Sequence, residues 1–278
     1  MRSWKKIISI TIVLIGTYFI VDIGRYFIYP SISYLKKNRP PKTAFMKYRE
    51  KVWQEKGIKR KITNIWVPIS RVSPYVMKAV IIAEDDKFWS HEGFDFEAMQ
   101  KALEKDIKKK KFKAGGSTIS QQLAKNLYLS PAKNPVRKIK EAILTWRMEK
   151  QLSKRRIMEL YLNVAEWGDG IFGVETAAQK YYGKHAAELT AREAAVLAAV
   201  IPNPRRYKPN GTSRYVENQS ERIYQIMVRR GIVILEYDDV ISEKDENNQK
   251  TNEQKAESVQ EEQNISPELP DTENKSNP

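Results

Sequence analysis

Residues 73–93 read SPYVMKAVIIAEDDKFWSHEG, an apolar run that opens as a helix and closes on acids. Ser73 stands at an N-cap and Pro74 at the first helical position, where a missing N–H costs nothing. Met77, Val80, Ile81 and Ile82 carry the pattern toward Asp85. Glu84 lies three and four residues beyond Ile81 and Val80, so it projects from the side that the helix buries. Acids at a helix C-terminus oppose its dipole, at a cost of about 0.3–1 kcal/mol each. A carboxylate in that position tends toward a raised pKa, as a general base requires. Taken alone, the run reads equally well as solvated acids at a helix end.

The helical pattern continues outward from this stretch. Asp95 caps a second helix from Phe96 to about Ile107, and the basic run Lys108–Lys113, with Phe112 inside it, breaks at Gly115-Gly116. Ser117 or Thr118 starts a third helix through Leu127. Pro135 opens a fourth, running to Leu152, with Val136, Ile139, Ile143, Leu144 and Trp146 inward at helical spacing. Residues 154–162 and 173–182 make two more. Thr190-Ala-Arg-Glu193 is a capping box before an apolar helix over 191–201, and Val216–Arg230 is amphipathic. Upstream, residues 31–72 read as a connector, with strand character in Ile62–Ile69. With no repeats and no alternation of strand and helix, the fold class is mainly α, a core of about 160–170 residues.

The two ends bound the chemistry. Ile7 to Ile20 is almost wholly apolar, and the run continues weakly to Tyr29, enough to cross a hydrocarbon core that needs about 20 helical residues. Residues 1–6 form a basic flank, which places that end in the cytoplasm and the rest outside. No small-x-small cleavage site follows, so residues 7–29 read as an uncleaved transmembrane anchor rather than a signal peptide. Asp22 and Arg25 mark the outer interface, with Tyr18, Tyr26 and Tyr29 as its aromatic belt.

From Glu236 onward there are 13 acidic and 4 basic residues and almost nothing apolar, so 236–278 reads as a disordered acidic tail. The whole chain carries +15, which leaves +24 on the part before that tail. A surface so basic suits an anionic membrane or a phosphorylated substrate, and an anchor that holds it outside the cytoplasm argues against nucleic acid. The chain has no cysteine and two histidines, which excludes thiol chemistry and histidine-rich metal sites.

Three further segments are too polar for a helical core. Gly115-Gly116-Ser117-Thr118-Ile119-Ser120-Gln121-Gln122-Leu123-Ala124-Lys125-Asn126 leads glycines into a helix N-terminus, whose free N–H groups favour an anion. Its lysine does not follow the glycines directly, so no nucleotide loop is implied. Arg137-Lys138-Ile139-Lys140-Glu141 holds an i,i+4 ion pair, and Lys154 to Asn163 (KRRIMELYLN) is a polar helix; neither is persuasive by itself.

Together, EDDKFWSHEG, GGSTISQQLAKN, RKIKE and RRIMELYLN resemble the four ordered signatures of the family 51 peptidoglycan glycosyltransferases. These are the polymerase domains of class A penicillin-binding proteins and their single-domain relatives. Gly173 to Gly183 (GVETAAQKYYG) matches a fifth element, with Tyr182 where phenylalanine is more usual. The resemblance covers about residues 60–210.

It implies a lysozyme-like helical domain over 60–235, joined to the anchor by a connector at 30–59, with a small membrane-proximal jaw near Lys108–Lys113. It implies that lipid II is polymerised at the outer face of the cytoplasmic (inner) membrane. Glu84 matches the base and Glu141 a second carboxylate. Lys125 and Arg137 match the groups that neutralise the pyrophosphate, with Ser117, Gln121 and Asn126 as further donors. Lys154, with Glu159 and Asn163, shapes the donor groove. Asp85, Phe88, His91, Gly93, Thr118 and Gln122 support the motif. Mg2+ or Mn2+ bridging pyrophosphate oxygens is the implied cofactor, with no dedicated cage in the sequence. Implied partners are lipid II, the growing glycan, the bilayer and cell-division or elongation proteins. A lytic transglycosylase or muramidase, the competing reading, has the same fold and a single acid, but has no need of Lys125 and Arg137 beside it.

Overall fold

The apolar N-terminal run forms a single helix, α1 (Arg2–Gly24), and the 24 residues Trp4–Phe27 are long and apolar enough to cross a membrane. The structure is a computed structural model that describes residues 2–109, 115–132 and 134–233. Among these, ten α-helices and one three-stranded sheet make a mainly helical fold. The acidic tail, and the jaw segment from Lys110 to Lys113, lie outside the described residues.

Residues 30–59, expected to be a connector, are built into the folded body. Ile32 and Leu35 are buried around a short 3-10 turn at Ser33–Lys36. Thr43 then caps α2 (Ala44–Glu55), its hydroxyl accepting from Met46 N at 3.2 Å. From α2, Met46 and Trp53 turn inward and Arg49 forms a bidentate pair with Glu166, at 2.8 and 2.9 Å. A Cβ on Gly170 would meet the Trp53 ring at 2.3 Å, so the glycine is needed for this contact. A polar-looking segment hid the packing because its apolar residues are spaced irregularly across a turn and a helix.

The strand expected over Ile62–Ile69 shrinks to β1 (Thr63–Asn64), which pairs with β3 (Ile171–Phe172), itself paired to β2 (Glu166–Gly168). Beyond Asn64, side chains replace the ladder. Asn163 accepts from Val67 N at 2.9 Å and donates to Val67 O at 2.8 Å, and Glu159 accepts from Ile69 N at 3.1 Å. Glu159 and Asn163, expected to line a donor groove, therefore act as scaffold.

Then come α3 (Pro74–Glu84), α4 (Phe96–Lys109), α5 (Ile119–Tyr128), α6 (Pro135–Gln151) and α7 (Lys154–Val164). They are followed by α8 (Val174–Tyr182), α9 (Ala191–Val200) and α10 (Arg214–Arg229). Most starts follow local chemistry: Asp95 accepts from Ala98 N at 2.8 Å, and Thr118 and Thr190 each close a capping box. Ser73 differs. Its hydroxyl donates to Leu189 O at 2.8 Å, tying α3 to the chain ahead of α9 instead of capping its own helix.

α9 packs against α3 and α10, while α5 contacts both α6 and α7. Leu123, Leu144, Met148, Ile157 and Tyr161 fill that second junction and are fully buried. On α6, Ile139 and Trp146 face outward, each 48% exposed, against the expectation that both point inward. Trp146 instead meets Phe27 edge-on beside the end of α1, centroids 6.5 Å apart.

Candidate active site

Glu84 is the last residue of α3, and its side chain reaches α5. Gln122 of α5 donates to Glu84 Oε2 at 2.6 Å, and the Tyr161 hydroxyl donates to Gln122 Oε1 at 3.1 Å. The fully buried tyrosine fixes which way the glutamine amide points. Glu84 Oε1 is buried with no hydrogen-bond partner. Burial raises the Glu84 carboxyl above the usual carboxylate range, the Gln122 amide and the Lys125 charge pull it back, and the Asp85 charge adds to the rise. Glu84 lines an open cleft of about 280 Å3 with Asp86, Lys87, Glu97, Gly116 and Ser117. A larger cavity of about 540 Å3 lies at the exit of α1 and has no carboxylate in its wall.

The loop after Glu84 is bolted to the start of α5. Asp85 Oδ2 accepts from Ile119 N at 2.9 Å, adding a carboxylate to a helix N-terminus, where the dipole favours it. Asp85 Oδ1 meets His91 Nε2 at 2.8 Å, and His91 Nδ1 accepts from Gly93 N at 3.0 Å. Because Nδ1 is the acceptor, Nε2 carries the proton and donates to Asp85. Thr118 Oγ1 donates to Gly93 O at 2.7 Å. Gly93 holds φ +91, and a Cβ there would lie 2.8 Å from Glu149 Cγ and 2.9 Å from Thr145 Cγ2. Phe88 is fully buried beneath the loop. Asp85, Phe88, His91, Gly93 and Thr118 thus form the frame that holds Glu84 still.

Lys125, which feels the Glu84 charge, also feels a cationic turn at the start of α6. Asn134 caps α6, accepting from Arg137 N at 2.7 Å. Arg137 and Lys138 both reach Glu141, at 2.5 Å each, and Glu141 is almost wholly buried. Lys138 also donates to Ser117 at 3.2 Å, joining this turn to the glycine loop before α5. On α5, burial lowers the Lys125 pKa; Glu141 and Glu84 oppose that, and Arg137 and Lys138 reinforce it. Lys125 therefore sits in the field of both carboxylates. The cluster mixes one carboxylate with a free oxygen and three cations, of which two are already organised by Glu141.

The remaining expected donors fall elsewhere. Gln121 is spent in the capping box with Thr118, and Asn126 is buried on α5 one turn beyond Gln122. Lys154 lies behind the loop, 2.9 Å from Glu149 and over the Phe88 ring at 4.7 Å, so it braces the frame. Lys138 and Tyr161 join the site unanticipated. The spacing of Lys138 to Glu141, i to i+3, was readable; the crossing of α7 over α5 that brings in Tyr161 was not. Among the described residues, no three His, Asp or Glu side chains converge on a point that would hold a metal ion. Both Glu141 oxygens are engaged by cations.

The transglycosylase family model matches residues 50–228. A biosynthetic peptidoglycan transglycosylase of Nitrosospira multiformis is 45% identical over 213 residues, covering 77% of this chain and 93% of that protein. A protein of the same name from Dechloromonas aromatica is 51% identical over 175 residues, 63% of this chain and 76% of its own length. One from Aromatoleum aromaticum is 53% identical over 169 residues, 61% and 74% respectively. The matched region runs from α2 to α10 and takes in Glu84, Lys125, Arg137 and Glu141. The chain belongs to the transglycosylase family.

Proposed function

We propose that this enzyme polymerises lipid II into β-1,4-linked glycan strands of peptidoglycan. The acceptor 4-hydroxyl oxygen bonds to the anomeric carbon of the growing chain while the bond from that carbon to pyrophosphate breaks, with inversion. The hydroxyl proton goes to Glu84 Oε1, and undecaprenyl pyrophosphate leaves with the bonding electrons. One observation carries this reading: a buried, unpaired carboxylate oxygen that shares the Lys125 charge with a cationic turn. The unpaired oxygen suits a base that must accept a proton, and Gln122 keeps the other oxygen occupied.

Lys125, Arg137 and Lys138 neutralise the leaving pyrophosphate, whose departure needs positive charge rather than a proton. Glu141 organises Arg137 and Lys138 and is not itself a base, since both its oxygens are paired. A divalent ion would act from the pyrophosphate oxygens, and we assign it no protein ligands. The basic residues Lys5 and Lys6 ahead of the apolar run favour an orientation with the N-terminus in the cytoplasm and the catalytic domain outside.

The test is polymerisation of labelled lipid II by wild type and Glu84→Gln. Abundant strands from wild type and at most traces from the variant are expected, and near-normal activity of the variant would sink the mechanism. Incubation with finished sacculi decides against the cleaving alternative: release of soluble fragments would favour a lytic enzyme.

A further inference from the structure

The segment that leaves α1 is gripped by α6. Arg147, 6% exposed, donates from one guanidinium to Tyr26 O and Ile28 O at 2.7 Å and to Pro30 O at 2.9 Å. Lys140 donates to the Asp22 carboxylate in the last turn of α1, and Arg25 meets the same group at 3.1 Å. Both cations also lie over the Tyr26 ring, at 5.2 and 5.0 Å. Ser33 donates to Gln151 at the far end of α6, at 2.9 Å. Residues 22–33 are therefore fastened along one helix. The same α6 carries Arg137, Lys138 and Glu141.

We propose that this strap sets the height of the anion site above the bilayer, with Asp22, Lys140 and Arg147 as positioning residues. The proposal rests on the reading that the substrate's pyrophosphate is lipid-borne. Asp22 lies near the end of the apolar span, where hydrocarbon gives way to headgroups. Lys140 meets it at that level. Arg137, Lys138 and Glu141 are within three residues of Lys140, so their Cα atoms stay within about 5.5 Å of its level whatever the tilt of α6. The headgroup layer on each side of a bilayer is about 5–7 Å deep. The cationic turn is thus held close to the layer where lipid phosphates lie. An ungripped tether over residues 25–31 would reach up to about 24 Å when extended and would lose that register.

The chain has no cysteine, so Ile139→Cys offers a single attachment point for a fluorescent label on the exposed face of α6. In phosphatidylethanolamine/phosphatidylglycerol vesicles, quenching by headgroup spin-labelled lipid reads the depth of that label. Arg147→Met and Asp22→Ala, each in this background, should reduce the quenching. Without the label, both variants should polymerise vesicle-borne lipid II several-fold more slowly while staying near wild type in detergent micelles, where no plane has to be matched. Unchanged quenching in both variants would overturn the proposal, and so would an equal loss in vesicles and micelles, which marks a merely structural role. If wild type polymerises lipid II in neither medium, the functional reading falls, and the quenching comparison alone decides the strap.

Discussion

Burial raises the Glu84 carboxyl, and the unpaired oxygen explains why nothing in the folded state fully compensates. A base works only when deprotonated, so turnover should rise with pH through a value above the ~4.3 of a free glutamate. Stability runs the other way. A folded-state pKa above the unfolded one means that the contribution is complete below the unfolded value and fades as pH rises through the folded one. Glu84→Gln should therefore melt at a higher temperature than wild type at neutral pH and at the same temperature near pH 4, where wild type is protonated as well. Its turnover should drop by about 10²–10⁴. Calorimetry across pH, paired with the polymerisation assay, checks both. Glu141 makes a contrast, because its oxygens are engaged by Arg137 and Lys138. Glu141→Gln should lose about 1–3 kcal/mol of stability in a denaturant titration. The acid limb of its pH–rate profile should stay in place, whereas a shifted limb would make Glu141 the base.

At the scale of elements, the site depends on one loop seated on one helix start. Asp85 and Thr118 tie residues 85–93 to α5, and Gly93 turns where a side chain has no room. Gly93→Ala should cost about 1–3 kcal/mol from backbone strain alone. It should also reduce turnover, because the displaced loop carries Glu84 with it; a drop in melting temperature without any change in turnover would show that the loop does not position the base. Helix starts were legible at Asp95, Thr118, Pro135 and Thr190 because each cap is a local bargain between a side chain and the next few N–H groups. The stretch 62–69 looked like a strand because β-branched residues suit one, yet Asn163 and Glu159, some 90 residues away, supply its partners. Ser73 resembled a cap because a serine ahead of a proline-led helix suits one, and it found Leu189 instead.

For the whole molecule, charge and the anchor act together. The chain ahead of the acidic tail carries +24, much of it at the surface. Its attraction for an anionic membrane and substrate is screened over about 10 Å at 0.1 M salt and about 3 Å at 1 M. Polymerisation in anionic vesicles should therefore slow as salt rises. The melting temperature, which rests on buried pairs such as Arg49–Glu166, should barely move. Parallel salt titrations of rate and melting temperature test the contrast; equal sensitivity would mean that exposed pairs hold the fold together.

The helical class, the α1 span and the residues of the acidic run were legible from local pattern, since hydrophobic period and capping chemistry act within a few residues. The motifs also named Glu84, Lys125, Arg137 and Glu141 as a group. What only the tertiary structure decided was what each of them faces. Gln122 and Tyr161 hold one oxygen of Glu84 and leave the other free, and Lys154 withdraws to brace Phe88. The packing of residues 30–59, and the grip of Arg147 on the anchor's exit, were decided there too. The hydrogen bonds among these contacts join residues 38 to 121 positions apart, and no local spacing encodes which helices will cross.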